Sequence, residues 1–149
     1  MRAIVQRVSD ARVSVDHRLS GESGRGVLIL LGVARIDAEP DADYLADKIV
    51  NLRIFDDPQG RMNMSLLDVG GQALVVSQFT LYGDVRRGRR PSYTDAAEPA
   101  AAKALYEYFI ARVRRLGVTV ETGVFQADMQ VTLTNDGPVT IMLDSKKAF

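Results

Sequence analysis

The chain has 149 residues, 46% of them hydrophobic, so it can bury one substantial core, and we expect a single domain over residues 1–149. Its 19 basic and 19 acidic residues balance, so no overall field draws it to nucleic acid or a membrane, and any anion site must be local. The absence of cysteine excludes disulfides, thiol nucleophiles and thiolate metal sites. The segment Met1–Arg7 places charges inside its apolar run, unlike a signal peptide, and no apolar run approaches the ~20 residues of a membrane span. We therefore expect a soluble, cytoplasmic protein.

The first third of the chain predicts three strands. Two have β-branched residues near a period of two, and the third is a continuous apolar run between glycines. They are Ala3–Val8, Ala11–Val15 and Gly26–Val33, with a turn at Asp16–His17. The third run is typical of a strand buried on both faces, although periodicity alone also allows a helix.

Two amphipathic helices are predicted. The first follows the acidic segment Asp37–Asp43, which contains Pro40 and suits a helix N-terminus. One face of it would carry Tyr44, Leu45, Lys48, Ile49 and Leu52. The second runs from about Glu98 to Leu116, and Gly117 follows as a cap. Its apolar face would be Leu105, Phe109, Val113 and Leu116.

The remaining predicted strands are shorter and are separated by turn residues. They are Arg53–Phe55, Ala73–Val76, Val118–Thr122, Met129–Leu133 and Val139–Leu143. Arg61–Ser65 is either a loop or a short edge strand, and turns are expected at Asp56–Gly60 and Gly70–Gly71. Several mostly antiparallel strands with two main helices predict an α+β fold.

The strand Ala73–Val76 runs directly into a polar cluster, Ser77-Gln78-Phe79-Thr80, followed by Leu81-Tyr82-Gly83-Asp84. A rigid strand that ends in polar groups can present them at the edge of a core. In isolation, the simpler interpretation of a buried strand entering a polar turn is favoured. A serine or threonine nucleophile needs a neighbouring base, and the only histidine, His17, lies at a predicted turn without an evident partner. We therefore expect no conventional catalytic triad.

A basic loop follows this cluster. Arg86, Arg87, Arg89 and Arg90 surround Gly88. Guanidinium groups match phosphate geometry, and glycine lets the backbone approach a ligand closely. A solvated surface loop is an equally good interpretation of the charges alone.

The segment Asn135-Asp136-Gly137-Pro138-Val139-Thr140 is strong turn sequence, and a plain hairpin turn is favoured in isolation. The alternative is a cis Gly137–Pro138 peptide, since proline lowers the trans preference to about 0.5–1 kcal/mol. A cis peptide would aim consecutive carbonyls in one direction, which suits a steric gate.

The two segments Ser77–Asp84 and Asn135–Thr140 together closely resemble the D-aminoacyl-tRNA deacylases. Further segments across the whole chain also resemble this family, namely Met1–Val8, Asp41–Ile49, Asn51–Phe55 and Gly88–Ser92. The resemblance implies a barrel-like fold of the D-tyrosyl-tRNA deacylase type, and a cytoplasmic homodimer that hydrolyses the ester between a D-amino acid and the terminal adenosine of tRNA. It also implies a site at the dimer interface. Ser77, Gln78, Phe79 and Thr80 of one subunit would line that site, and a cis Gly137–Pro138 dipeptide from the other subunit would exclude L-amino acids.

An aminoacyl ester is already activated and needs no strong nucleophile, so water or the neighbouring ribose hydroxyl could take part in the attack. We expect the backbone N–H of Phe79, together with that of Thr80, to stabilise the oxyanion, with Thr80 as a covalent nucleophile as the competing mechanism. Neither a cofactor nor a metal ion is expected. Arg86 to Arg90 would contact acceptor-stem phosphates, and glycyl-tRNA, including glycine mischarged on tRNA-Ala, would also be hydrolysed. The alternatives are a non-catalytic nucleic-acid-binding homodimer and a small-molecule esterase that uses Thr80 or Ser77.

Overall fold

The computed structural model describes all residues from Met1 to Phe149. It contains eight strands and two helices. In chain order they are β1 (Arg2–Val15), β2 (Arg18–Ser23), β3 (Gly26–Gly32), α1 (Glu39–Val50), β4 (Phe55–Asp56), β5 (Met62–Met64), β6 (Gln72–Ser77), α2 (Pro99–Arg115), β7 (Thr119–Thr122) and β8 (Gln130–Asp144). A single 3₁₀ turn, Phe79–Tyr82, follows β6 and is called the 79–82 turn below.

The main sheet has the order β2-β1-β3-β6-β7, with β8 paired to the free side of β1. The pairs that involve β1 are antiparallel, whereas β3, β6 and β7 run parallel to one another. The two ends of the order also meet, since the Ser20 hydroxyl of β2 donates to the Thr122 carbonyl of β7 at 3.2 Å. The sheet is therefore nearly closed, and the prediction of a single α+β domain with a barrel-like, mostly antiparallel sheet and two helices is confirmed.

The continuous apolar run is the centre of the sheet. In β3, Val27, Ile29 and Leu31 contact the main core between the sheet and the two helices. Leu28 of the same strand lies in a second, smaller cluster on the opposite face, with Leu74. A strand covered on both faces can be apolar at every position, so the strand prediction for this run is confirmed and the helix is excluded.

Each helix packs against the sheet through one face of the helix. In α1 the buried residues are Asp41, Ala42, Leu45, Ala46, Ile49 and Val50. Of the predicted face, Leu45 and Ile49 are buried, Tyr44 and Leu52 pack against the core, and only Lys48 is exposed. In α2 they are Tyr106, Phe109, Ile110 and Val113, and Gly117 follows with a positive φ of 103°. No helix of the structure is both long and apolar enough to cross a membrane.

The predicted strands Ala3–Val8 and Ala11–Val15 form one element, β1, so the prediction of two was wrong. The exposed pair Ser9–Asp10 marks the place where β1 leaves β3 and begins to pair with β2. Polar residues there look like a break because neither partner covers them. The short strand predicted at Arg53–Phe55 is also displaced, to β4, which pairs with β5.

The hairpin turn at Asn135–Pro138 was wrong as well. Both halves of β8 pair with β1 in the same antiparallel sense, so the chain does not reverse. Instead β8 bulges: Gln6 pairs with Thr140 and Val8 with Asn135, which leaves residues 136–139 opposite Arg7 alone. The turn-forming residues accommodate this bulge rather than a reversal of direction.

Candidate active site

The first predicted site segment lies at the end of β6. Ser77 is the last residue of the strand, and the Gln78 amide N–H donates to the Leu31 carbonyl of β3 at 2.8 Å. Ser77 and Gln78 are half-buried, Thr80 is exposed, and the Phe79 side chain is 55% exposed. A buried strand thus places four consecutive polar and aromatic residues at its open end, as the sequence predicted.

The backbone of the 79–82 turn leaves two amides free of its own hydrogen bonds. Leu81 N–H donates to the Gln78 carbonyl at 3.3 Å, and Gly83 N–H donates to the Thr80 carbonyl at 2.9 Å. The amides of Phe79 and Thr80 precede these donors and take no part in the turn's pattern, as is usual for the first amides of a helical turn. They can therefore donate to a group placed beside the turn.

The Thr80 hydroxyl accepts a hydrogen bond from the side-chain amide of Gln78. An amide cannot act as a general base toward a hydroxyl. The single histidine, His17, lies in the exposed turn between β1 and β2, where it and Asp16 both have positive φ. The arrangement does not resemble a catalytic triad, in agreement with the sequence analysis.

A cavity of about 580 Å³ opens beside this segment. The strap that joins the 79–82 turn to α2, residues 84–98, covers one side of it, and the beginning of β8 covers another. The Phe79 ring packs edge-on against Tyr93 of the strap, with ring centres 5.0 Å apart. The lining of the cavity is mostly apolar and includes Val33, Val76, Tyr93, Ala96, Ala97, Pro99, Phe125, Met129 and Val131, together with Ser77, Gln78 and Phe79. The cavity volume of about 580 Å³ is typical of small-molecule sites.

The arginine loop is the tip of the strap. Asp84 and Ser92 close it with two backbone hydrogen bonds of 2.8 and 3.0 Å. The Arg86 guanidinium donates two hydrogen bonds to the Asp84 carboxylate, at 2.9 and 2.7 Å, and these bonds lower the pKa of Asp84 to about 2. Arg87 and Arg89 are exposed, and no carboxylate pairs with either of them. The four predicted arginines are therefore not equivalent, since Arg86 is already paired.

Gly137 and Pro138 are exposed within the bulge of β8, and the peptide between them is cis. Only glycine fits the first position: its φ is +137°, and an added Cβ would lie 2.8 Å from Val139 Cγ2. The Asn135 side chain accepts from the Val139 N–H at 3.0 Å and donates to the Thr140 hydroxyl at 3.0 Å. The bulge is thereby held in one conformation by its own residues.

Arg7 of β1 lies opposite the bulge of β8 and binds it. It is only 8% exposed, and its guanidinium donates to the Asp136 carbonyl at 3.0 Å and to the Ile54 carbonyl at 2.7 Å. The carboxylates of Asp56 and Asp136 lie 3.6 and 3.5 Å from the same group. Arg7 was not among the predicted site residues, although its charge inside the apolar alternation of β1 was a signal for it.

One chain does not bring its two predicted segments together. Gly137 and Pro138 are absent from the lining of the cavity beside Ser77. Val131 of β8 does line the cavity, but the extended chain from Val131 to Gly137 spans roughly 15–20 Å. The cavity residues from the strap and from β8, such as Tyr93, Phe125 and Val131, were also missed, because residues so far apart in sequence carry no joint pattern.

Comparison with known proteins identifies the family. Residues 4–144 match the family described as D-Tyr-tRNA(Tyr) deacylase. Proteins named D-aminoacyl-tRNA deacylase from Fervidobacterium nodosum and Koribacter versatilis are 64% and 62% identical, over 100% of both chains in each case. A solved structure of a c-Myc DNA unwinding element binding protein is 37% identical and superposes with a TM-score of 0.92, covering 97% of this chain and 98% of that one. A probable eukaryotic D-amino acid tRNA deacylase, at 21% identity and a TM-score of 0.79, shares the fold. The chain belongs to the D-Tyr-tRNA(Tyr) deacylase family.

Proposed function

We propose that this protein hydrolyses the ester between a D-amino acid and the terminal adenosine of tRNA, releasing the D-amino acid and free tRNA. The observation that carries the proposal is the Ser77–Thr80 segment beside an apolar cavity large enough for a nucleoside, with Ser77 and Gln78 half-buried and Phe79 and Thr80 exposed. Identities of up to 64% over the full length of deacylases support the same substrate class.

In the proposed mechanism the amide N–H of Phe79, with that of Thr80, donates to the carbonyl oxygen of the ester as it becomes an oxyanion. Water adds to the carbonyl carbon, and the neighbouring ribose hydroxyl takes part by passing a proton from that water to the ester oxygen. The ester C–O bond then breaks, so that the ester oxygen leaves as the 3′-hydroxyl of the terminal adenosine and the amino acid is released as a free carboxylate. One well-placed donor of this kind is worth roughly 10²–10³ in rate. This mechanism needs no base, in keeping with a Thr80 hydroxyl that contacts only an amide. Covalent attack by Thr80 is the competing route.

We propose that the working unit is a homodimer in which Gly137 and Pro138 of the partner subunit complete each site. Two features support this. Both residues are exposed, and they lie too far from the cavity of their own chain to take part there. Carbonyls of this dipeptide would accept from the substrate ammonium and crowd one side of its Cα, so that an L side chain meets the backbone.

Such a gate discriminates by exclusion, and glycine has no side chain to exclude. Glycyl-tRNA, including glycine mischarged on tRNA-Ala, should therefore be hydrolysed as well. Because the gate is made of backbone atoms, many D-amino acids should be accepted. We place the reaction in the cytoplasm, where aminoacyl-tRNA is used, and the proposed hydrolysis requires neither a cofactor nor a metal ion.

The test is to follow ester loss from D-tyrosyl-, L-tyrosyl- and glycyl-tRNA at equal enzyme concentration, with and without EDTA. We expect rapid loss of the D and glycyl esters, slow loss of the L ester and no effect of EDTA. Equal rates on D- and L-tyrosyl-tRNA would refute the gate, and no loss of any ester would refute the activity.

A non-catalytic nucleic-acid-binding homodimer is the second candidate. It is favoured by the unpaired arginines of the strap and by the 37% identity to a protein named for DNA binding. That alternative predicts binding of uncharged tRNA or duplex DNA with no ester loss. The ester assay therefore decides between the two.

A further inference from the structure

Three residues stand in one row at the end of the sheet nearest the 79–82 turn. In the strand register Arg2 of β1 pairs with Gly32 of β3 on one side and with Asp144 of β8 on the other. Directly paired residues point their side chains to the same face of a sheet. Arg2 therefore lies between a carboxylate and a position that has no side chain.

The 79–82 turn rests on that empty position. A Cβ added to Gly32 would lie 3.0 Å from the Gln78 carbonyl oxygen and 3.3 Å from Cε2 of Tyr82. Any larger residue at position 32 would push the turn away from the sheet. Glycine thus lets the turn approach the sheet closely, but it supplies no contact that fixes the turn in place.

Arg2 supplies that contact. Its Nε lies 3.2 Å from Oδ2 of the buried Asp144, and its Nη1 donates to the Leu81 carbonyl at 3.1 Å. Its guanidinium carbon lies 4.6 Å from the centre of the Tyr82 ring. A planar guanidinium that donates from two of its nitrogens and lies over an aromatic ring has little freedom left. The carbonyl it binds belongs to the same turn that presents the Phe79 and Thr80 amides.

We propose that Arg2 is a positioning residue for the hydrolysis: it fixes the 79–82 turn so that the Phe79 and Thr80 amides aim at the developing oxyanion. This inference rests on the proposed function and adds to it a residue outside both motifs. Arg2 does not touch the cavity and so should contribute little to substrate binding. Its effect should appear in the chemical step, which is sensitive to displacements of about 1 Å.

The experiment compares Arg2→Met and Arg2→Lys with the matched control Arg12→Met, on D-tyrosyl-tRNA. Arg12 is an exposed residue of the same strand. We expect Arg2→Met to lower kcat roughly tenfold with KM unchanged, and the control to change neither. Arg2→Lys should recover part of the loss, since an ammonium can satisfy one of the two oxygen acceptors.

A second measurement does not require activity. The ¹⁵N–¹H chemical shifts of the Phe79 to Tyr82 amides in the free protein should move in Arg2→Met and stay in place in Arg12→Met. An unchanged kcat, a loss carried by KM, or unmoved shifts would each overturn the positioning role. If the wild type cleaves no ester while the shifts still move, the proposed function fails and the structural link between Arg2 and the turn remains.

Asp144→Asn keeps the inference testable if Arg2→Met does not fold. An asparagine oxygen can still accept from the Lys146 N–H, which donates to Asp144 at 2.7 Å, but it no longer carries the charge that holds Arg2. The expected result is a smaller fall in kcat, again with KM unchanged. A wild-type kcat in this variant would count against the proposal.

Discussion

Replacing Arg7 by methionine should destabilise the protein and loosen the Gly137 bulge at the same time. Methionine has a similar length but no donor, so the carbonyls of Ile54 and Asp136 lose their partner. Residues 136–139 have no other strand residue opposite them, because β8 bulges there. The same side chain therefore serves both the stability of the fold and the shape of the proposed gate.

The magnitude can be worked from the contacts. Each hydrogen bond from a charged donor is worth about 1.5–3 kcal/mol. The two carboxylates near Arg7 are 54% and 53% exposed, so each ion pair adds only about 0–1 kcal/mol. We expect the free energy of unfolding to fall by about 3–5 kcal/mol, which is the usual cost of removing one partner from a buried charged contact.

Urea denaturation measures this loss, with Arg12→Met as the control at the same protein concentration, since the stability of the proposed dimer would depend on concentration. With a slope of about 1–3 kcal/mol per molar urea, the midpoint should fall by at least about 1 M. The second readout is the ratio of D- to L-tyrosyl-tRNA cleavage, which should fall because a loosened gate admits the L side chain. A loss below about 1 kcal/mol would refute the assigned hydrogen bonds. A large loss with an unchanged ratio would show that Arg7 supports the fold but not the gate.

Three further outcomes are expected. Thr80→Ala should retain most of the activity on D-tyrosyl-tRNA, whereas complete loss would favour the covalent route. The double variant Arg87→Gln/Arg89→Gln should weaken tRNA binding and reduce the slope of log K against log salt by about 1–2, and an unchanged affinity would mean that the strap does not contact phosphates. Burial alone would raise the pKa of Asp41, but hydrogen bonds, the largest of them from Lys146, lower that pKa from 3.8 to about 2. Because a carboxyl with a depressed folded pKa loses its stabilising contribution as pH falls through that range, Asp41→Asn should be less stable at pH 7 and less sensitive to acid between pH 4 and 2, as measured by thermal melts.

The sequence predicted an element correctly where the pattern within that element was sufficient to determine its structure. Gly26–Val33 is apolar at every position because it forms the central strand. The Ser77–Thr80 segment directly follows an apolar strand in the sequence, so the position of this segment at the end of β6 could be predicted from that strand. Asn135–Pro138 shows the opposite case. Composition predicted a reversal there, but pairing of β8 with β1 on both sides converts the same residues into a bulge. A turn and a bulge use the same conformations, and only the partner strand distinguishes them.

The candidate site was predictable only in part, for the same reason. Its two motifs were found as sequence segments, but the cavity wall comes from Tyr93, Phe125 and Val131, which no single periodicity connects. The two arginines that brace the motifs, Arg2 and Arg7, lie in an apolar strand where a charge is only an irregularity. Their roles depend on which carbonyls the fold places beside them, Leu81 for the first and Asp136 for the second.

Because Arg2 and Arg7 act on different segments, one variant of each can test whether a site is built from one chain or from two. Arg2→Met should slow catalysis at the site to which its 79–82 turn belongs, and Arg7→Met should make its Gly137–Pro138 gate admit L-tyrosyl-tRNA. A heterodimer of the two variants, purified through two different tags, contains one copy of each defect. If each site joins the turn of one subunit to the gate of the other, one site receives both defects and the other receives neither.

L-tyrosyl-tRNA then separates the two arrangements. With sites shared between subunits, the Arg7→Met gate always faces the Arg2→Met turn. L-ester cleavage by the heterodimer should then fall close to that of the wild type, while D-ester cleavage stays at about half the wild-type rate. With sites inside one chain, the Arg7→Met gate works with an unmodified 79–82 turn. The heterodimer should then cleave the L ester at about half the rate of the Arg7→Met homodimer. The second result would contradict the shared site, and the distance between Gly137 and the cavity in one chain is the physical reason to expect the first.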